Sequence, residues 1–160
     1  MLLLVTVGAI AQFWLVASKP NAEALEREGN MSKIFANKQS FVITHAQDAE
    51  FDAGLRAFFA YRDLQMADAT KGKFGAHVIK AVPGKHAEGK WHSHNLDFQM
   101  VYILKGWVEF EYEGQGLHMM KAGSCVLQPP GIKHREIRHS DDLELIEITS
   151  PASFTTQDEA

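Results

Sequence analysis

A chain of 160 residues and 17.9 kDa has the length of one domain and can bury a core without disulfides or structural metals. Its composition, 46% hydrophobic and 22% charged, excludes disorder through low hydrophobicity and high charge, and a net charge of −4 offers no general attraction to a phosphate backbone, so no nucleic-acid partner is expected. One cysteine, Cys125, excludes an intramolecular disulfide framework and any Cys-rich zinc or iron–sulfur site, and reads as a small buried residue.

The chain opens with Met1–Ser18, apolar except for Thr6, Gln12 and Ser18, and long enough for a short membrane span or a signal-peptide core. No Lys or Arg precedes the apolar run, so a signal peptide would lack its basic start. Met31 opens a second stretch, MSKIF, that resembles an ordinary cytosolic start, and Glu26-Arg27-Glu28-Gly29 corresponds to purine-rich codons of the kind found in a bacterial ribosome-binding site. Three readings follow: a start assigned too early, which places the protein in the cytoplasm; a membrane anchor or uncleaved signal; or a cleaved signal. The chain therefore divides into an apolar segment 1–30, an extension 31–57 and a barrel 58–160. Two short helices are expected in the N-terminal part, at Ala22–Arg27 and at Asp48–Phe58, the second capped by Asp48.

From Phe58 onward, runs rich in Val, Ile, Phe and Tyr recur at roughly ten-residue spacing between Gly, Pro and charged breaks, the pattern of an all-β sandwich or barrel. Strands are predicted at 58–63, 74–81, 98–105, 107–113, 116–120, 124–127, 133–138 and 143–149. Val108, Phe110 and Tyr112 alternate with Glu109, Glu111 and Glu113, which gives that strand one buried and one wet face. Phe98–Leu104 is apolar on both faces. If Gln99, Val101 and Ile103 line the interior, Met100, Tyr102 and Leu104 need cover, either from a second copy in a homodimer or from the chain near Phe41–Thr44. The aromatics Trp91, Phe98, Tyr102, Trp107 and Phe110 read as core.

Eight histidines are the other feature of the composition. His92 and His94, two apart on an extended strand, point to one face and make a two-point chelate. His134, after the Pro129-Pro130-Gly131 turn, can return to them across a closed barrel. Three neutral imidazoles with open positions suit one divalent transition metal ion: Fe, Mn, Ni, Cu, Co or Zn. His45, His77, His86, His118 and His139 read as solvated or core-satisfied residues.

Two spaced motifs carry a resemblance to the cupin superfamily, specifically its small single-domain conserved-barrel members. The first is His92, His94, four residues, Gln99, six residues and Gly106, with Gln99 where the family has Glu and Gly89 in place of a glycine five residues before the first histidine. The second is Gly123, Pro129, Gly131 and His134, with Arg138 where the family has Asn. The resemblance implies a double-stranded β-helix, or jelly-roll barrel, and makes His92, His94, Gln99 and His134 the metal ligands.

Gln99 is a neutral oxygen donor, so an ion held here keeps its full charge and favours a small anionic, chelating ligand. Alternatively, the three histidines hold the ion alone. Asp97 is either a substitute ligand, a partner that orients an imidazole, or a solvated loop residue. Strand parity from His134 places Glu136 and Arg138 toward the cavity unless a bulge intervenes, Glu136 as general base and Arg138 as an anion clamp; otherwise the two form a surface pair. The leading functional reading is a metal-dependent small-molecule enzyme, dioxygenase-like and acting on an enolisable or phenolic substrate. Its rival is a non-catalytic ligand- or metal-binding sensor.

Overall fold

The structure, a computed structural model, describes residues 39–159. The apolar segment Met1–Ser18 and the helix expected at Ala22–Arg27 lie outside these residues. Among the described residues, no helix is long and apolar enough to cross a membrane.

Among the described residues, eleven strands form two antiparallel sheets: β1 (Asp52–Ala53), β2 (Phe59–Asp63), β3 (Gly75–Ala81), β4 (His92–Asn95), β5 (Phe98–Lys105), β6 (Trp107–Tyr112), β7 (Gly116–Lys121), β8 (Cys125–Gln128), β9 (His134–His139), β10 (Glu144–Ser150) and β11 (Thr155–Asp158). The first sheet runs β1-β2-β3-β10-β5-β8 and the second β11-β4-β9-β6-β7. This is the jelly-roll barrel expected from the sequence. All eight predicted strands are present, with ends shifted by at most a residue or so.

Each sheet turns one side of its alternation inward. On β5, Gln99, Val101 and Ile103 are buried; on β6, Val108 and Tyr112 are buried while Glu109 and Glu111 pair outward with Arg138 and Arg135. Ile103, Val108, Leu143, Leu145, Ile79 and Phe59 meet in one cluster between the sheets. Gly106, between β5 and β6, has φ of 69°, and a Cβ there would lie 2.3 Å from Ser140 Oγ, so the motif glycine serves a tight turn.

The N-terminal part departs from expectation. Instead of a helix at Asp48–Phe58 there is a single 3-10 turn at Ala46–Asp48, then β1, which pairs Asp52 with Tyr61 and Ala53 with Ala60. Gly54 sits against the Tyr61 ring, where a Cβ would lie 2.2 Å from a ring carbon. A mid-segment glycine already weakens a helix, and pairing with β2 decides the outcome. A short helix α1 (Met66–Thr70) forms where none was predicted, and β4 and β11 are short polar strands that alternation does not mark.

Outward positions of the first sheet bring Met100 opposite Leu127 and Tyr102 opposite Cys125. Cys125 is therefore exposed rather than buried, because Val126 and Gln128 take the inward parity of β8. Phe98 and Tyr102, expected in the core, are each 38% exposed, as is Leu104 at 46% and Leu127 at 58%. The segment Phe41–Thr44 does not cover this face: Phe41 and Ile43 are themselves exposed, and Thr44 accepts a hydrogen bond from Arg62 Nη2. The homodimer expected from the sequence is tested at this face. Sedimentation of the chain starting at Met31 should show a dimer that Tyr102→Lys weakens; a clean monomer at micromolar concentration rejects it.

Candidate metal centre and its cavity

His92 and His134 are cross-strand partners on β4 and β9, and His94 lies one pleat further along β4, so three imidazoles converge from two strands. Their ring centroids are 4.3 Å apart for His92 and His134 and 5.1 Å for each pair with His94. One ligand nitrogen from each lies within 4.8 Å of the others, and all three residues are buried.

The backbone sets the tautomers. Nδ1–H of His92 donates to the Lys90 carbonyl and Nδ1–H of His134 to the Ile132 carbonyl, each at 3.0 Å and each two residues back along the chain. In both rings this leaves the Nε2 lone pair free. Nδ1 of His94 pairs with Thr156 Oγ1 at 2.9 Å, a contact supplied by β11, and the Phe154 ring lies edge-on to the imidazole. Burial lowers the pKa of all three: His134 to about 4, His94 to about 3 with help from the neighbouring imidazoles, and His92 below its usual value. At neutral pH the cluster therefore presents uncharged nitrogen donors with no proton to displace, a donor set that fits a divalent transition metal.

The cluster forms one wall of a cavity of about 470 Å³. Gln99 and Glu136 line it. Gln99 is nearly fully buried, and its Nε2–H donates to Glu147 Oε1 at 2.8 Å, so its amide oxygen is the atom Glu147 does not engage. Glu136 is held by His139, whose Nδ1 lies 2.5 Å from Glu136 Oε1. Burial raises the Glu136 carboxyl above the usual carboxylate range, against the lowering effect of His139. Burial likewise raises Glu147.

Arg138 does not reach the cavity. The β6–β9 pairing slips where Glu109 faces Arg138 and Phe110 faces Glu136, so Ile137 is an extra residue on β9. This bulge gives the inward place opposite Val108 to His139 and turns Arg138 outward, where it is 61% exposed and bonded to Glu109. The Glu136–Arg138 surface pair is likewise not formed. Asp97 is exposed, its backbone N–H donating to the Ser150 carbonyl, and it lies away from the cavity lining.

Several cavity residues escaped the sequence reading. Glu147 was legible in principle, since it shares the inward parity of Leu145 and Thr149 on β10. Tyr112 accepts a hydrogen bond from Gln128 Nε2 at 3.0 Å, which leaves its own O–H free; burial pushes its pKa up to about 12. Tyr61 is pushed higher still by burial and by the Glu147 charge. Both phenols stay protonated as donors. Arg56 and His77 also line the cavity, and nothing in the local sequence marked either.

A family model described as a cupin domain matches residues 78–149. Among solved structures, the polyketide cyclase RemF from Streptomyces resistomycificus is 14% identical with a TM-score of 0.62, covering 75% of this chain and 86% of its own. A sugar phosphate isomerase from a cupin superfamily, from Silicibacter pomeroyi, is 17% identical with a TM-score of 0.60, covering 74% and 82%. The iron(II) form of HppE is 13% identical with a TM-score of 0.54, covering 68% and 60%. At these identities the likeness is one of fold. None of the curated proteins compared matches the chain.

Two predictions follow from the geometry. Unfolded histidines titrate near pH 6.5, and the buried ones resist protonation, so in the metal-free protein their contribution to stability is intact above about pH 6.5 and lost as pH falls toward 4. Glu136 and Glu147 act in the opposite sense, adding stability below the unfolded carboxylate pKa and losing it as pH rises through their raised values. Denaturant titration of metal-free protein from pH 7.5 to 4 should show falling stability, with a shallower slope in His94→Gln; an equal slope in both contradicts the burial account. Gln99→Glu adds a carboxylate beside the imidazoles and should tighten Co(II) binding by about tenfold while weakening anionic ligands. Unchanged Co(II) affinity places Gln99 outside the reach of the ion.

Proposed function

Because residues 78–149 belong to the cupin domain family, we propose that this chain is a metal-dependent enzyme in which His92, His94 and His134 hold one divalent transition ion and a small anionic, chelating molecule reacts beside it. The supporting observation is the convergence of three buried, neutral imidazoles on the wall of a cavity large enough for a small organic molecule. Such an ion supplies Lewis acidity to a ligand oxygen and, if it is iron, access to dioxygen chemistry. A polyketide cyclase, a sugar phosphate isomerase and an iron(II) protein share this fold, so fold alone does not choose a reaction.

The chain's own residues define what happens around the ligand. Phe110 and Phe154 beside the histidines, with Val101 and Leu145 on the facing sheet, give the cavity apolar walls. Glu136, raised by burial and oriented by His139, is the proton acceptor; an elevated pKa makes it a stronger base than a surface carboxylate once ionised. The Tyr112 hydroxyl, free to donate, and the Tyr61 hydroxyl provide hydrogen bonds to oxygen that gains charge as the proton leaves. This favours an enolisable or phenolic substrate, whose acidic proton and oxygen anion match the base and the donors. Within that class, a dioxygenase-like reaction is the reading proposed.

The test is metal analysis of untagged protein followed by dioxygen uptake with a panel of phenols and diketones. One ion per chain and uptake with a panel member are expected. His134→Ala should lose most of the metal and the uptake while the thermal midpoint of the metal-free form stays within a few degrees, because the core is apolar. Stoichiometric metal with no turnover of any kind supports the binding or sensor alternative instead, and unfolding of His134→Ala contradicts the separation of site from core.

A further inference from the structure

We propose that Arg56 is the anion-binding group of this cavity, receiving the carboxylate of a small organic substrate whose apolar body lies along the barrel wall toward the three histidines. The inference rests on the metal-centre reading above and adds to it a substrate class and the residue that selects it.

Arg56 lies in the connection between β1 and β2, and that connection borders the same cavity as His92, His134 and Glu136. This connection is held at three points. Gly54 packs against the Tyr61 ring, Phe59 N–H donates to the Arg56 carbonyl at 3.0 Å, and Lys85 Nζ donates to the Ala57 carbonyl at 3.1 Å. The guanidinium is thus presented from a fixed turn.

Its Nη2 is buried and has no hydrogen-bond partner among the described residues. A buried charged donor without an acceptor is costly, and native structures rarely keep one unless a ligand completes it. The carboxylates bordering the cavity are engaged elsewhere: Glu136 with His139, Glu147 with Gln99, and Glu88 with Lys90 at 2.6 Å. Arg56 forms no ion pair with any of them.

The chemistry of the ligand follows from what else is there. A guanidinium edge matches the planar, two-oxygen carboxylate. A phosphate brings close to two negative charges into a space that already holds Glu136 and Glu147, so a monoanion is favoured. Phe58, Phe59 and Ile79, which line the same cavity, suit an aromatic or aliphatic body. This assigns to Arg56 the role that strand parity had given to Arg138.

Benzoate and benzamide have nearly the same shape and differ in charge, which makes them the probes. Calorimetric titration into the full chain, chelator-treated and Co(II)-loaded in parallel, should find benzoate at least about tenfold tighter than benzamide in both states. Arg56→Gln should abolish that preference in both, and Arg56→Lys should keep part of it, since the charge remains but the planar fork is lost. Equal affinities for the two probes in wild type, or a preference that survives Arg56→Gln, overturns the proposal. If Co(II) fails to load on the histidines, the metal-centre reading falls, and the chelator-treated titrations still decide the role of Arg56.

Discussion

The site depends on keeping three imidazoles neutral inside an apolar barrel. Burial alone does this electrostatically, but it would leave the rings free to choose a tautomer and a rotation. The carbonyls of Lys90 and Ile132 remove that freedom for His92 and His134, and each carbonyl belongs to the chain that leads into the histidine's own strand. The orientation is therefore built into the path of β4 and β9 rather than added by a remote partner. β11 contributes the third restraint through Thr156, so a short polar strand with no hydrophobic signature is required for the geometry of the centre.

Around this neutral cluster the charges are arranged in separate layers. The inward carboxylates Glu136 and Glu147 are each bonded to one neighbour, while the opposing charges of β6 and β9 pair on the outer surface as Glu109 with Arg138 and Glu111 with Arg135. The outer pairs are partly solvated and contribute little to stability. Their consequence is positional: with the arginines of β9 held outside, the cavity among the described residues is lined by carboxylates, phenols and imidazoles, and the loop before β2 brings Arg56 to it. Gln99 fits the same arrangement. Its amide N–H donates to Glu147, a bond an ionised carboxylate could not offer.

The parts of this arrangement that were legible in the sequence are those governed by period-two alternation and by fixed spacing. β6 announced its inward face, while β5, apolar on both faces, did not; the motif histidines lie on β4 and β9, where the pairing of His92 with His134 closes them together. Parity failed at Arg138 because one extra residue in β9 reverses everything after it, and a bulge leaves no mark in a run such as His134–His139. Cys125 was read as buried from its residue type alone, whereas β8 is four residues long and its inward row is Val126 and Gln128, the latter bonded to Tyr112. The helix expected at Asp48–Phe58 shows the converse: a reasonable cap and local propensity were overridden by pairing with β2. Arg56 lies in that misread stretch, so its place on the cavity was visible only once the chain was folded.

X-ray absorption spectroscopy of the Co(II)-loaded protein most directly tests whether these three side chains form a metal centre. The structure predicts one ion per chain with the outer-shell scattering of three imidazoles, reduced to two in His94→Ala. An ion with no imidazole scattering, or with scattering unchanged by that substitution, would contradict the account.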